Sequence, residues 1–218
     1  LAVLVASLAV TVGEAQHSAR VGELLRQFQS ATDFVQQFEV AQQIARSGDA
    51  SVLKQLEPWL TQEDRHLRGN AAYLFASLGD PRGLETIRSI LTDRSARVVR
   101  PEYFGGNPSI AAQIRSDRYY AVHLLGKLRD PRTLKMLVAL FDDEDVGENA
   151  VWAVGEIGDA EARRALVDAL GNRAASVRVC AIAAIVKLRA TEALPKLREL
   201  LADHAMPFHG ERVSVAER

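Results

Sequence analysis

Residues 71–91 read Ala-Ala-Tyr-Leu-Phe-Ala-Ser-Leu-Gly-Asp-Pro-Arg-Gly-Leu-Glu-Thr-Ile-Arg-Ser-Ile-Leu, and this stretch decides the fold because its pattern recurs. With Asp80 as origin, the same turn position holds Asp49, Asp130, Asp159 and, in a fifth copy, Ala190. Four residues on stand Leu53, Leu84, Leu134, Arg163 and Leu194; seven on, Leu56, Ile87, Leu137, Leu166 and Leu197; eleven on, Leu60, Leu91, Phe141, Leu170 and Leu201. That spacing is one face of a helix. Nine residues before the origin stand Val40, Ala71, Ala121, Ala150 and Ala181, and five before it Ile44, Phe75, Leu125, Val154 and Ile185, a second helical stripe. Each unit therefore reads as two helices around a short turn, with Leu84, Ile87, Leu137, Leu166 and Leu197 expected in the core.

Successive origins lie 31, 50, 29 and 31 residues apart, so one unit carries about twenty extra residues and the rest share a period near thirty. A single hairpin of this size cannot bury both stripes, and neighbours must cover each other. The repeats run from about Asp33 to Leu60, Glu63 to Thr92, Ser116 to Phe141, Val146 to Leu170 and Ala175 to Ala202. Ahead of them residues 18–30 read as a capping helix with Val21, Leu24, Leu25 and Phe28 on one side. An insertion at about 101–115 begins at Pro101 and continues Glu102-Tyr103-Phe104-Gly105-Gly106-Asn107-Pro108, a loop punctuated by Pro and Gly, with Ser109 to Arg115 read as a short helical turn. The expected fold is all-α: a right-handed α-solenoid of about five helical-hairpin repeats over residues 16–202, with an irregular tail at 203–218.

The bulk numbers fit one elongated domain. The net charge is -1, charged residues make up 25% and both signs are interspersed, so no electrostatic footprint for nucleic acid is present. The start differs in kind: Leu1 to Val12 is an uncharged apolar run, and Gly13-Glu14-Ala15 resembles a signal-peptidase site. Residues 1–15 are therefore read as part of an export signal, which places the protein in the periplasm or outside the cell. An apolar helix of an earlier repeat, or the tail of a membrane anchor, are the alternatives; membrane contact is expected only if the segment is an uncleaved anchor. The single cysteine, Cys180, forms no intrachain disulfide, and with no sequence-adjacent His or basic group to lower its pKa it reads as a structural thiol.

The segments Leu78-Gly-Asp-Pro-Arg, Leu128-Arg-Asp-Pro-Arg and Val154-Gly-Glu-Ile-Gly-Asp, with Leu67-Arg68 and Val177-Arg178 placed before Ala71 and Ala181, resemble HEAT-type repeats of the short bacterial, phycobilisome-lyase-like class over residues 33–202. The resemblance implies first helices on a convex side and second helices on a concave side. Independently of family, Pro81 and Pro131 suit a first helical turn, where a missing N–H costs nothing, and the preceding Asp can accept from the free N–H groups there.

Recurrence also argues against catalysis. Asp80, Asp130 and Asp159 share one position and Arg68, Arg118 and Arg178 another, as capping and inter-repeat ladders require. Deoxyhypusine hydroxylases resemble the scaffold but hold iron with His-Glu pairs, and this chain has no His-Glu dipeptide. Bilin lyases resemble it at repeat level only. His204 and His209 lack a third ligand at a fixed spacing, so no metal and no cofactor are expected, and His123 reads as an amphipathic ring off the buried stripe.

The leading expectation is a non-catalytic scaffold, exported from the cell, that binds an unidentified protein or peptide through its concave face, formed by the second helices, and the insertion. The candidate contact residues are Tyr103 and Phe104 in the insertion, and Lys135, Val138, Arg164 and Val167 on the second helices of repeats three and four, a mixed charged surface with a small apolar centre. A lyase-like or other small-molecule enzyme, and a regulatory or sensory segment of a longer membrane-anchored protein, stay open as alternatives.

Overall fold

The computed structural model describes residues 2–96, 108–205 and 215, with side chains from Ala15 onward. Among these residues every regular element is helical, and the chain divides into two compact units, Leu1–Ile87 and Arg88–Arg218.

The first unit starts with α1 (Ala2–Ser30), whose Val21, Leu24, Leu25 and Phe28 are buried as expected. It packs on α2 (Phe34–Ser47), which packs on α4 (Arg65–Ser77). A buried amide relay ties these three helices together. Gln37 Nε2 donates to the Phe28 carbonyl at 3.1 Å, and Asn70 Nδ2 donates to Gln37 Oε1 at 3.0 Å and to the Phe34 carbonyl at 2.8 Å. Both side chains are fully buried, so each amide hydrogen bond replaces one to water that folding removed.

The hairpin turn has one design throughout. The residue before each origin adopts positive φ: Gly48 (71°), Gly79 (87°), Arg129 (53°), Gly158 (68°) and Arg189 (51°). A left-handed residue is how helices commonly end, and Gly takes that conformation without a Cβ clash. The next residue caps the following helix: Asp49, Asp80 and Asp130 accept from the N–H two residues on, and Asp159 from Ala162 N–H. Ala190 has no side chain to do so. In the Asp-Pro-Arg copies the carboxylate also grips the arginine two residues on, Arg82 at 2.7 Å and Arg132 at 2.6 Å. These hydrogen bonds hold the Asp80 and Asp130 carboxyls below the usual carboxylate range.

Second helices are less regular than the stripe predicts. Only α5 (Pro81–Thr92) and α9 (Ala160–Ala169) are continuous α-helices. The others are split by 3-10 turns. The first runs as Ala50–Val52, α3 (Leu53–Leu56) and Glu57–Thr61, where Pro58 offers no N–H to continue an α-helix. The third runs as Pro131–Thr133 and α7 (Leu134–Val138); the fifth as Thr191–Ala193, α11 (Leu194–Glu199) and Leu200–Ala202.

The buried face also takes in one position that the stripe leaves out. Ile87, Leu137 and Leu166 are fully buried, but Leu84 and Leu197 are only half-buried, against expectation. The position buried in all five copies is three after the origin, where Val52, Gly83, Thr133, Ala162 and Ala193 stand. In the second copy this is where two helices cross. A Cβ on Gly83 would lie 2.2 Å from the Ala76 backbone nitrogen, so α5 meets α4 at Gly83 and Leu84 is rotated toward the rim. Leu197 sits in the last repeat, where among the described residues no further hairpin follows, and Leu194 and Leu201 there are exposed.

In the second unit the first helices α6 (Ile110–Leu128), α8 (Gly147–Ile157) and α10 (Ala175–Leu188) form the layer that positions the site. α8 is the hub, packing on α6, α10, α7 and α9, the neighbour-covers-neighbour arrangement of an α-solenoid. Ser109 caps α6 by accepting from Ala112 N–H, so the helix starts at Ile110, and the restart expected at Ser116 falls inside it. The last residues of the expected insertion are therefore the opening turns of the repeat's own first helix. Residues 101–107, with Tyr103 and Phe104, lie outside the described residues.

Candidate functional site

The recurring arginines are structural clasps. Arg118, with its side chain 5% exposed, donates from Nε to the Leu91 carbonyl at 3.3 Å, from Nη1 to Asp143 at 3.0 Å and Asp145 at 3.2 Å, and from Nη2 to Asp143. Those bonds hold the Asp143 carboxyl well below the usual range. Arg178 repeats the clasp, donating to Asp203 at 2.6 Å and to the carbonyls of Asn172 and Arg173, and Arg68 donates to the Gln62 carbonyl. The fourth copy has Gly147 in this place. A Cβ there would lie 2.6 Å from the Phe141 carbonyl oxygen, so the start of α8 is backbone packed on backbone.

Beside Gly147 lies an open cleft of about 300 Å³ lined by Asp142, Asp143, Glu144, Asp145, Glu148 and Arg173 among others. Its carboxylates are largely committed. Asp143 and Asp145 bind Arg118, Asp145 also takes Arg115 at 2.9 Å, and Asp142 accepts from Asn172 at 2.9 Å. General acid catalysis near neutral pH calls for a carboxyl with a raised pKa, and the shift at Asp143 is in the opposite direction.

The sequence-derived contact residues lie on second helices. Lys135 and Val138 are exposed on α7; Arg164 is exposed on α9, 3.9 Å from Glu161 of the same helix, and Val167 is half-buried. α7 and α9 both pack on α8, which fixes the two pairs on one scaffold.

A second constellation, on first helices, is missed by reading the stripes. Tyr120 and His123 of α6 stack 6.2 Å apart, and His123 stacks on Trp152 of α8 at 5.1 Å with planes 6° apart. Lys127 Nζ lies 5.6 Å from the Trp152 ring centroid, a cation–π arrangement. Gly126 forms the floor, where a Cβ would lie 2.5 Å from the indole. Burial, and then Lys127, lowers the His123 pKa, so the ring is the neutral partner. The signal was in one column: seven before the origin stand Gln42, Tyr73, His123, Trp152 and Ala183, with aromatic rings in the three middle copies. Close by, Glu156 is almost fully buried and binds Lys187 and Arg129; burial pushes its carboxyl up, but the two cations outweigh burial and hold it below the usual range.

Helical hairpins ending on a left-handed residue, most of them capped by Asp, and covering one another in sequence define a helical repeat protein. The family model for HEAT repeats matches residues 115–176 and 142–207, and over that stretch the chain is similar to HEAT repeats. No curated protein matches the sequence.

Proposed function

We propose that this protein is a non-catalytic, exported scaffold that binds another protein through the second-helix surface of α7 and α9, with the 101–115 segment as an added contact. The observation that carries this reading is the division of labour in the second unit. Recurring Asp and Arg side chains close on each other at turns and joints, while Lys135, Val138 and Arg164 stand exposed. A mixed surface with an apolar centre and a net charge of -1 over the chain suits a polypeptide better than a nucleic acid.

The test is the double substitution Val138→Glu with Val167→Glu. Thermal stability should be nearly unchanged, since Val138 is exposed and Val167 half-buried, while affinity purification should lose whatever partner the unaltered protein retains. Retention of the same partner at the same yield would refute the surface. For export, mass spectrometry of the protein expressed with its full leader should find processing near Ala15; an unprocessed cytoplasmic chain would refute that part alone.

A second reading, small-molecule enzymology in the cleft beside Gly147, draws support from the five carboxylates lining it. Turnover abolished by Glu148→Gln, with folding intact, would favour it over the scaffold.

A further inference from the structure

One step of the first-helix layer is filled and the next is open. Between α6 and α8 the indole of Trp152 lies on the Gly126 floor against His123. Between α8 and α10 the same positions supply Trp152 as the stacking ring and Gly155 as the floor, but the filler is Ala183. A pocket of about 220 Å³ results, lined by Trp152, Gly155, Cys180, Ala183, Ala184 and the stem of Lys187. Gly155 keeps α8 close to α10, since a Cβ there would lie 3.0 Å from Ala184 Cβ. Cys180 acts as an inert wall, its thiol pushed up to about 11 by burial and by Glu148.

Charge defines the rim. The last turns and caps of α6 and α10 bring Lys127, Arg129, Lys187 and Arg189, all exposed, to the same end of the layer. The carboxylate facing them from α8 is Glu156, buried and already bound by Lys187 and Arg129. Three of the four cations are therefore in excess over it.

We propose that this pocket is a docking site for an aromatic side chain carried in an acidic segment of a partner polypeptide. The ring stacks on Trp152 over Gly155, as Trp152 itself stacks on His123 over Gly126, and the flanking carboxylates meet the basic rim. This surface lies on first helices, so its success or failure is independent of the second-helix surface proposed above.

The experiment uses the full chain and an N-acetylated pentapeptide amide of one tryptophan between two pairs of glutamates. Its counterparts are the same peptide with alanine for tryptophan, and indole alone. Binding is read from the indole N–H resonance of Trp152 in heteronuclear NMR, with Trp59→Phe assigning the signal. The expected result is saturable binding with a Kd on the order of a millimolar or tighter, a range a single small anchor reaches. It should weaken about tenfold with Ala183→Trp, which fills the pocket from within, and weaken again at high salt as the rim is screened. Ala183→Trp should also raise the Tm, which shows that the variant is folded and the pocket occupied; a lower Tm would mean that no ring fits and would overturn the proposal. No saturable shift with the tryptophan peptide, equal shifts with the alanine peptide, binding unaffected by Ala183→Trp, or indole alone binding as tightly as the peptide would each overturn it as well.

Discussion

The joint between α6 and α8 and the joint between α8 and α10 use the same helical positions, yet the first is closed and the second open. At the first, a clasp inside the joint, Arg118 with Asp143, and a ring on its outer face, Trp152 over Gly126, occupy the space between helices. At the second, the clasp position is Gly147, where backbone packs on backbone, and Ala183 leaves the outer face unfilled. A repeat array needs each inner position to be satisfied at every step, because buried polar groups and cavities are costly. Its outer positions carry no such demand. Variation there changes what the surface offers without loosening the stack.

Four measurements would break or sharpen this comparison. The largest effect is expected inside the closed joint. Arg118→Ala leaves the Leu91 carbonyl and Asp143 without their buried partner and should cost about 3–5 kcal/mol in denaturant unfolding. Arg129→Ala, which removes an exposed guanidinium from Glu156, should cost less than about 1 kcal/mol. Equal costs would mean that the clasp is not the source of the joint's strength.

Next comes the core along the array. Leu137→Ala should lose about 2–5 kcal/mol, as other fully buried large-to-small changes do, whereas Leu197→Ala in the half-covered last repeat should lose clearly less. A larger loss at Leu197 would show that the final hairpin is covered as tightly as the middle ones.

The two floors provide a smaller contrast. Gly126→Ala drives a methyl into the Trp152 ring and to 3.1 Å from Ala153 Cα, an overpacking cost of about 1–3 kcal/mol. Gly155→Ala meets only Ala184 Cβ at 3.0 Å and also gains helix propensity of roughly 1 kcal/mol, so it should be near neutral. Reversal of that order would contradict the open pocket.

The smallest effect is on pH dependence. Folding depresses the His123 pKa, so between that lowered value and the unfolded value of about 6.5 the unfolded chain binds more protons. Stability is then full above about pH 6.5 and falls as pH drops through this window. Lys127 opposes charging of the ring, and Glu156, tied to Lys187 and Arg129, offsets this only in part. Comparing melting temperatures at about pH 7 and about pH 5, His123→Phe should show the shallower slope. The paired carboxylates Asp143 and Asp203, held low by Arg118 and Arg178, lose their contribution only at more acidic pH.

Much of this was legible in the chain before any coordinates. Two stripes of apolar residues and an Asp-led turn, repeated five times, determine helical hairpins and their order, because an apolar stripe has to be covered and the covering neighbour is the next copy. The same repetition marks Asp80, Asp130 and Asp159 as caps and Arg118 and Arg178 as joint residues. Tertiary structure decided what depends on how closely two helices approach. It buried the position of Gly83, Thr133, Ala162 and their equivalents, which the apolar stripe leaves out, and at Gly83 the crossing of α5 on α4 leaves no room for a Cβ. It also stacked His123 on Trp152 and left space beside Ala183, contacts between side chains about thirty residues apart that helical periodicity within a single repeat does not encode.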